Sequence, residues 1–246
     1  VLAKSLATLD VISHGRLIVG IGAGWYEPEF AASEIAFERP RSRLVQLQEA
    51  IAILRGMFGG GPFTFAGRHW RLEEASCLPL PVQRPGPPIW VGGKGDRLIR
   101  LAATVADGWN AVWVWTPETY LERAALFEAA REKAGRDPAE VTRSVGLYAL
   151  VGEDEADLQR RFDRLRTVSP AGILDTSSLS DWRQGRLVGT VEQVREQLDV
   201  WAGLGVDELI VGAGAVPFAL ASPDDVEMIA AACSLAAPCP ASDPLN

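Results

Sequence analysis

The sequence predicts an α/β fold built on parallel strands. The strand candidates are continuous apolar runs rather than alternating ones, which is typical of strands buried on both faces. They alternate along the chain with amphipathic segments of helical period, as in βα units. The length of 246 residues fits one large domain or two small ones, and we expect one domain because α/β barrels commonly have about 250 residues. A barrel and a doubly wound sheet both satisfy these observations.

The order of the elements becomes regular after an irregular start. Apolar periodicity predicts helices over 1–12, 41–58, 95–106, 117–134, 153–166 and 190–204, and one more that begins at Ser222. Apolar runs predict five strands over 16–22, 88–92, 109–115, 144–151 and 207–213. Two short segments that flank Ala66-Gly67-Arg68 predict a hairpin outside the main sheet. We expect irregular structure over 23–40 and 167–187.

The number of strands bears on the domain organisation. Five strands are fewer than the eight of a closed barrel, and the first helix has no strand before it. We therefore expect an N-terminally truncated α/β barrel domain over residues 1–236, with about five of its eight βα units present. The intact gene product is expected to carry three more units, each on the order of 30 residues. The prolines in residues 237–246 predict a C-terminal tail.

Composition narrows the function classes. Hydrophobic residues make up 48% of the chain and charged residues 23%, a balance typical of a soluble globular protein. The formal net charge of −8 disfavours nucleic acid and anionic membranes as partners. The three cysteines show no metal-binding spacing and are too few for a disulfide framework, so we expect no metal and a cytoplasmic location. No apolar run is long enough for a membrane span.

The end of the first strand carries a functional signal. The strand candidate over 16–22 is followed at once by Ala23-Gly24-Trp25. Gly22 and Gly24 place no Cβ where the chain leaves the strand, so a flat or anionic group can approach main-chain N–H donors there. The alternative is that these glycines merely allow a turn.

The end of the second strand carries a similar signal. Gly92-Gly93-Lys94-Gly95 leads from the strand over 88–92 into a helix. Unpaired N–H groups and the helix dipole favour an anion at such a helix N-terminus. Arg97, one turn into the helix, either adds a charge-assisted contact or is simply solvated. Two strand ends of this kind in one chain favour a cofactor site.

Several motifs in a fixed order resemble one enzyme family. The chain is similar to the bacterial-luciferase-like oxidoreductases that depend on a flavin or on the deazaflavin F420. The motifs that carry this resemblance are Leu2-Ala3-Lys4, Ala7-Thr8-Leu9-Asp10, Ser13-His14-Gly15-Arg16-Leu17, Gly22-Ala23-Gly24-Trp25-Tyr26-Glu27-Pro28-Glu29-Phe30, Pro87-Pro88-Ile89, Gly92-Gly93, Ala106-Asp107-Gly108-Trp109 and Leu187-Val188-Gly189-Thr190. Together they cover nearly the whole chain.

The resemblance implies a fold, a reaction and a cofactor. The implied fold is a luciferase-like (β/α)8 TIM barrel, with the cofactor ring in the mouth at the carboxyl ends of the strands. The implied activity is that of an oxidoreductase, in some members a monooxygenase, that transfers hydride or activates oxygen on a small organic substrate. The implied cofactor is F420, with FMN as the alternative. Luciferases proper place an arginine for the FMN phosphate where this chain has Ala23, which argues against that mode of binding.

The resemblance also assigns cofactor contacts by position. The turn that grips the cofactor phosphate corresponds to Gly92, Gly93, Lys94 and Gly95, and the strand end beside the ring corresponds to Gly22, Ala23 and Gly24. Trp25 either packs at the ring or covers the core. Catalytic residues stay unassigned, because the family usually supplies the polar group near the ring from strands that precede this sequence.

Two other function classes stay open. The first alternative is a non-catalytic or truncated barrel paralogue that binds phosphate or oligomerises without turnover. Unpaired strand edges of such a remnant would pair with another chain, which makes a homodimer a candidate assembly. A phosphate-binding barrel enzyme of sugar or amino-acid metabolism would also suit the glycine turn alone.

Other polar and aromatic candidates are interpreted as structural. We expect Asp107 to be a cap or turn residue, and Arg43 and Glu49 to take part in a surface ion-pair network. Trp113 and Trp115 alternate with valines on a predicted strand end, so we expect both indoles to point the same way.

Overall fold

The computed structural model describes residues 1–216 and 220–233, and the tail predicted over 237–246 lies outside them. The helices are α1 (Leu2–Ile12), α2 (Glu27–Ala32), α3 (Pro40–Phe58), α4 (Asp96–Val105), α5 (Pro117–Lys133), α6 (Glu155–Val168), α7 (Leu179–Arg183), α8 (Val191–Gly203) and α9 (Pro223–Cys233). The strands are β1 (Val19–Ile21), β2 (Phe63–Ala66), β3 (Arg71–Ala75), β4 (Ile89–Gly92), β5 (Gly108–Ala111), β6 (Thr142–Gly152), β7 (Leu187–Thr190) and β8 (Glu208–Ala213).

The chain divides into two compact units. The first unit comprises Val1–Asn110 and Arg123–Thr142, and the second comprises Ala111–Glu122 and Arg143–Asn246. Helix α5 contributes its start to the second unit and its remainder to the first. The strands within each unit's main sheet are parallel, so the predicted α/β class is confirmed.

The first unit places β4 between β1 and β5. Val19 of β1 pairs with Ile89 of β4, and Trp90 of β4 pairs with Gly108 of β5. The buried Trp109 side chain stacks on Phe127 of α5, with ring centroids 5.3 Å apart. Strands β2 and β3 form the predicted antiparallel hairpin apart from this sheet.

Asp107 has the predicted structural role. Its carboxylate accepts the N–H of Ile89 at 2.8 Å, at the start of β4. It also forms an ion pair of 2.8 Å with Arg55 of α3. The residue therefore ties the start of one strand to a helix and to the turn before the next strand.

The prediction of a surface ion-pair network for Glu49 is wrong. Glu49 is buried on α3, and its carboxylate accepts backbone N–H groups of Arg68, His69 and Trp70 at 2.6, 3.0 and 3.2 Å. Burial alone would raise the pKa of Glu49, but these three donors lower it below its ordinary value. The carboxylate thus binds the backbone of the hairpin turn and not a cationic side chain.

The second unit is organised around the long strand β6. The N-terminal part of β6 pairs with β8, beginning with Ser144 opposite Glu208. The C-terminal part pairs with β7, beginning with Ala149 opposite Leu187. Six parallel strands are therefore present in the described residues rather than the five predicted. Strand β7 was missed because its four residues run into α8 without a loop, inside a segment rich in turn residues.

The two tryptophans after β5 do not point the same way. The predicted strand over 109–115 ends at Ala111, and Val114 has a positive φ of 62°, which breaks the alternation of side chains. Trp113 stacks on Tyr148 at a centroid distance of 4.7 Å. Trp115 instead packs edge-on against Tyr120 at 6.5 Å.

A buried ionic group joins α6 to α9. Arg161 donates from Nε to Asp157 and from Nη1 to Asp225, each at 2.7 Å, and all three residues are buried. The hydrogen bond from Arg161 is the main cause that holds the pKa of Asp157 below its ordinary value, although burial opposes it. The guanidinium is matched by a carboxylate on each side.

We expect Arg161→Ala to destabilise the chain by about 3–5 kcal/mol, because it leaves two buried carboxylates without their cation. Urea denaturation measures this. Arg160→Ala is the matched control: Arg160 is bonded to the same Asp157, but its side chain is 62% exposed, so the loss should be about 0–1 kcal/mol. Equal losses for the two variants would contradict the assignment.

Glu49→Gln should lower the melting temperature at neutral pH, since an amide is a weaker acceptor for the three N–H groups and brings donors of its own. A carboxyl whose pKa is lowered in the folded state stabilises above its unfolded pKa, and this stabilisation is lost as the pH falls through the folded value. The difference between wild type and variant should therefore shrink below about pH 4. Glu73→Gln, at an exposed position of the same hairpin, should show no such trend in thermal melts.

Candidate functional site

The two glycine strand ends predicted from the sequence lie side by side. Strands β1 and β4 are hydrogen-bonded neighbours in parallel, with Ile21 opposite Val91. The next residues are Gly22 and Gly92, and a Cβ built on Gly22 would lie 3.4 Å from the carbonyl oxygen of Gly92. The two chain segments thus leave the sheet at adjacent carboxyl ends, where α/β folds bind ligands.

The turn after β4 is held from both sides. The N–H of Gly93 donates to the carbonyl of Asn110 at 3.1 Å, and its own carbonyl accepts the indole N–H of Trp109 at 3.0 Å. Gly93 has a φ of 145°, and a Cβ there would lie 3.0 Å from the side chain of Leu98. Only glycine fits this position without strain.

The N-terminus of α4 is open. Gly95 is its N-cap residue, so no side chain caps the first-turn N–H groups, and a Cβ at Gly95 would meet nothing within 4 Å. Asp96 comes next, at the first position of the helix, but its carboxylate is paired with Arg123 at 2.5 Å. The first turn therefore offers backbone donors, and its acidic side chain is paired with a cation.

The segment after β1 is folded back onto α3. Gly24 has a positive φ of 73°, and a Cβ there would lie 2.5 Å from the ring of Phe30. Arg43 of α3 donates from Nε to the carbonyl of Ala23 at 3.1 Å, donates from Nη1 to the carbonyl of Glu38, and lies 3.9 Å from the centre of the Phe37 ring. The predicted ion-pair role of Arg43 is therefore wrong: its partners are backbone carbonyls and an aromatic face.

Comparison with known proteins identifies the family. The sequence profile of the luciferase-like monooxygenases matches residues 1–208. The chain belongs to this family. It is 30% identical over 227 residues to the F420-dependent hydroxymycolic acid dehydrogenase of Mycobacterium tuberculosis, covering 91% of this chain and 61% of that protein. It is 24% identical to the FMNH2-dependent dimethylsulfone monooxygenase of Pseudomonas putida, covering 85% and 64%.

Solved structures confirm the fold class. An F420-dependent secondary alcohol dehydrogenase superposes with a TM-score of 0.74 at 20% identity, over 94% of this chain and 74% of that one. The monooxygenase RslO1 from Streptomyces bottropensis superposes with a TM-score of 0.72 at 26% identity, over 93% and 71%. The fold is of the luciferase-like barrel type. The chain spans less than two thirds of the length of the two curated relatives.

In this luciferase-like chain, all residues assigned to the cofactor by resemblance fall in the first unit. Lys94 and Arg97 are exposed on either side of Gly95, and Arg97 lines a cleft between α3 and α4 together with Arg41. Trp25 is 84% exposed beside Tyr26, so it does not cover the core of its unit. The sequence signal had found the glycines, but it had missed Trp109 and Arg43, which fix the two segments.

Two further observations concern the described residues as a group. Within residues 1–216 and 220–233, no three His, Cys, Asp or Glu side chains come together in a way that could hold a metal ion. None of the helices in these ranges is long and apolar enough to cross a membrane.

Arg43→Met should loosen the segment after β1, since it removes two hydrogen bonds to carbonyls and the contact with the Phe37 ring. Chymotrypsin cleaves after aromatic residues, and Trp25, Tyr26 and Phe30 lie in this segment. We expect several-fold faster cleavage there in the variant. Arg41→Met, at an exposed position on the first turn of the same helix, should be cleaved at the wild-type rate. Unchanged cleavage of the Arg43 variant would show that the segment is held by other contacts.

Proposed function

We propose that the chain is the cofactor-binding part of an oxidoreductase that uses reduced F420, with FMN as the alternative, on a small organic substrate. In this proposal the turn from Gly92 to Gly95 binds the cofactor phosphate, and the segment from Gly22 to Trp25 lies beside the ring. The observation that carries the proposal is the uncapped N-terminus of α4 next to the glycine end of β1.

The residues present suit a phosphate group. A phosphate oxygen needs N–H donors and room, and the helix start at Gly95 offers both. Lys94 and Arg97 supply positive charge around it. The acidic side chain of that turn, Asp96, already has a cationic partner in Arg123.

Two observations favour F420 over FMN. The relative with 30% identity is named as F420-dependent. In addition, Ala23 stands where luciferases proper carry the arginine for the FMN phosphate. The relatives named as FMNH2-dependent support the alternative.

The reaction divides between cofactor and protein. When bound, a reduced deazaflavin or flavin supplies a hydride equivalent. The chain's own residues bind the phosphate through backbone N–H groups, and the Trp109–Gly93 hydrogen bond fixes the turn that presents them. The exposed face of Trp25 offers a flat surface for a ring.

Location and assembly belong to the same proposal. The net charge of −8 supports a protein without nucleic-acid partners, and the free thiols of Cys77 and Cys233 support a cytoplasmic location.

Within the described residues β1 pairs with β4 alone, so its other edge is open. A homodimer would cover such an edge.

The competing proposal is a paralogue that binds phosphate or oligomerises without turnover. The glycine turn alone would suit it equally well. Saturable binding of a deazaflavin or flavin, as opposed to inorganic phosphate only, separates the two.

Gly95→Asp tests the phosphate site and is expected to leave the fold intact. Gly95 has φ −74° and ψ 139° with open space around it, and aspartate is a good N-cap residue. The variant should melt at or above the wild-type temperature. Its affinity for F420 should fall more than tenfold, because a carboxylate would occupy the site of the phosphate.

Fluorescence titration with F420, and separately with FMN, measures this. Gly95→Ala is the control, since it adds one methyl group and no charge, and it should bind within about threefold of wild type, under 1 kcal/mol. Riboflavin, which has no phosphate, should not distinguish the two variants. Equal binding of F420 by wild type and Gly95→Asp would refute the phosphate assignment.

A further inference from the structure

The second unit contains a cleft of ≈ 550 Å³ that no cofactor assignment uses. It lies between residues 115–117, residues 183–188 and helix α8. The apolar part of its lining includes Trp115, Val188, Val200 and Trp201. Its size falls within the range of small-molecule sites. The polar part of the lining consists of Thr116, Arg183, Arg186, Gln193, Glu196 and Gln197.

Arg186 is the unusual residue in this lining. It is partly buried, its Nη1 donates to the carbonyls of Trp182 and Gln184 at 2.9 and 3.0 Å, and its guanidinium lies 5.0 Å from the centre of the Trp182 ring. Its Nε is buried with no acceptor among the described residues, as is the Nε of Arg183 in the same lining. Burial lowers the pKa of Arg186 from its ordinary value.

No carboxylate of the described residues lies within ion-pair distance of Arg186. Two other arginines of the unit have the carboxylate partner that Arg186 lacks, whereas the partly buried Arg195 is bonded to the carbonyl of Ala231. Arg161 has Asp157 and Asp225, and Arg183, in the same cleft, has Glu155 at 2.5 Å. A cation removed from water without a counter-ion is costly, and carbonyl dipoles compensate for only part of that cost.

We propose that this cleft binds an organic anion, a carboxylate or sulfonate with an apolar body, and that Arg186 is its counter-charge. The guanidinium geometry suits the paired oxygens of such a group. Glu196 of α8 also lines the cleft, so the ligand carries one anionic group, placed at Arg186, with its apolar body against Val200 and Trp201. None of these residues is among those assigned to F420 or FMN, so the site goes beyond the proposed function.

A purely structural role for Arg186 makes different predictions. Its two carbonyl partners lie at the end of α7, so the side chain also closes that helix. If this were its whole role, the cleft would show no preference for anions. Charge placed elsewhere on the cleft wall would then have no effect on binding.

The test uses the chain without any cofactor, so that its outcome is independent of F420 or FMN binding. The probes are benzoate and benzenesulfonate, with neutral benzamide as the matched compound. Binding is measured by tryptophan fluorescence and by thermal melts. We expect saturable quenching and a rise in melting temperature with the two anions. We expect neither with benzamide. Equal binding of benzoate and benzamide, or no binding by the folded chain, would overturn the proposal.

Charge changes at Val200, Val226 and Arg186 locate the site. Val200→Glu should weaken benzoate binding at least twofold, and Val200→Lys should strengthen it, because Val200 lines the cleft. Val226→Glu makes the same charge change on α9, outside the cleft lining, at nearly equal exposure, 48% against 51% for Val200. It should leave binding unchanged. Arg186→Gln should weaken binding more than tenfold, and the valine variants keep the test valid if that substitution disturbs folding. Equal weakening by both glutamate variants would refute the location.

Discussion

The parallel pairing of β1 with β4 is the constraint on which the candidate cofactor site depends. Neighbouring strands lie about 4.8 Å apart, so a register that sets Ile21 beside Val91 also sets Gly22 beside Gly92. Core packing then fixes the turn after β4. The indole of Trp109, buried against Phe127, reaches back to the carbonyl of Gly93. The orientation of the backbone donors at Gly95 is therefore determined by the hydrophobic core of the unit.

Most of the fold could be predicted because its elements carry their own pattern. The amphipathic periods of α3 and the continuous apolar run of β6 are local properties of the sequence. Where local patterns conflict, prediction failed. The apolar run over 109–115 continues past Ala111, yet Val114 adopts a left-handed conformation and the strand ends. Strand β7 gave the opposite error, because its four residues lead into α8 with no turn to separate them.

The site was predictable in its glycines but not in its supports. A glycine at a strand end is informative on its own, since the absence of a Cβ has a local meaning. A charged side chain has no such meaning until its partner is known. Glu49 and Arg43 lie on one helix and would suit an ion-pair network, but each binds backbone groups of a segment distant in sequence. Long-range contacts of this kind become visible only in the fold.

Two arginines of the second unit, the buried Arg161 and the partly buried Arg186, show how the same reasoning separates a structural charge from a functional one. Arg161 is paired within the fold with two carboxylates, so the free-energy cost of burying its charge is offset by the protein alone. Arg186 is partly desolvated, with hydrogen bonds to carbonyls but no counter-ion among the described residues. A fold optimised only for stability would replace such a residue with an apolar one. Its presence on the wall of a cleft is explained if the missing charge arrives with a ligand, and stability lost in the free protein is then recovered in the complex.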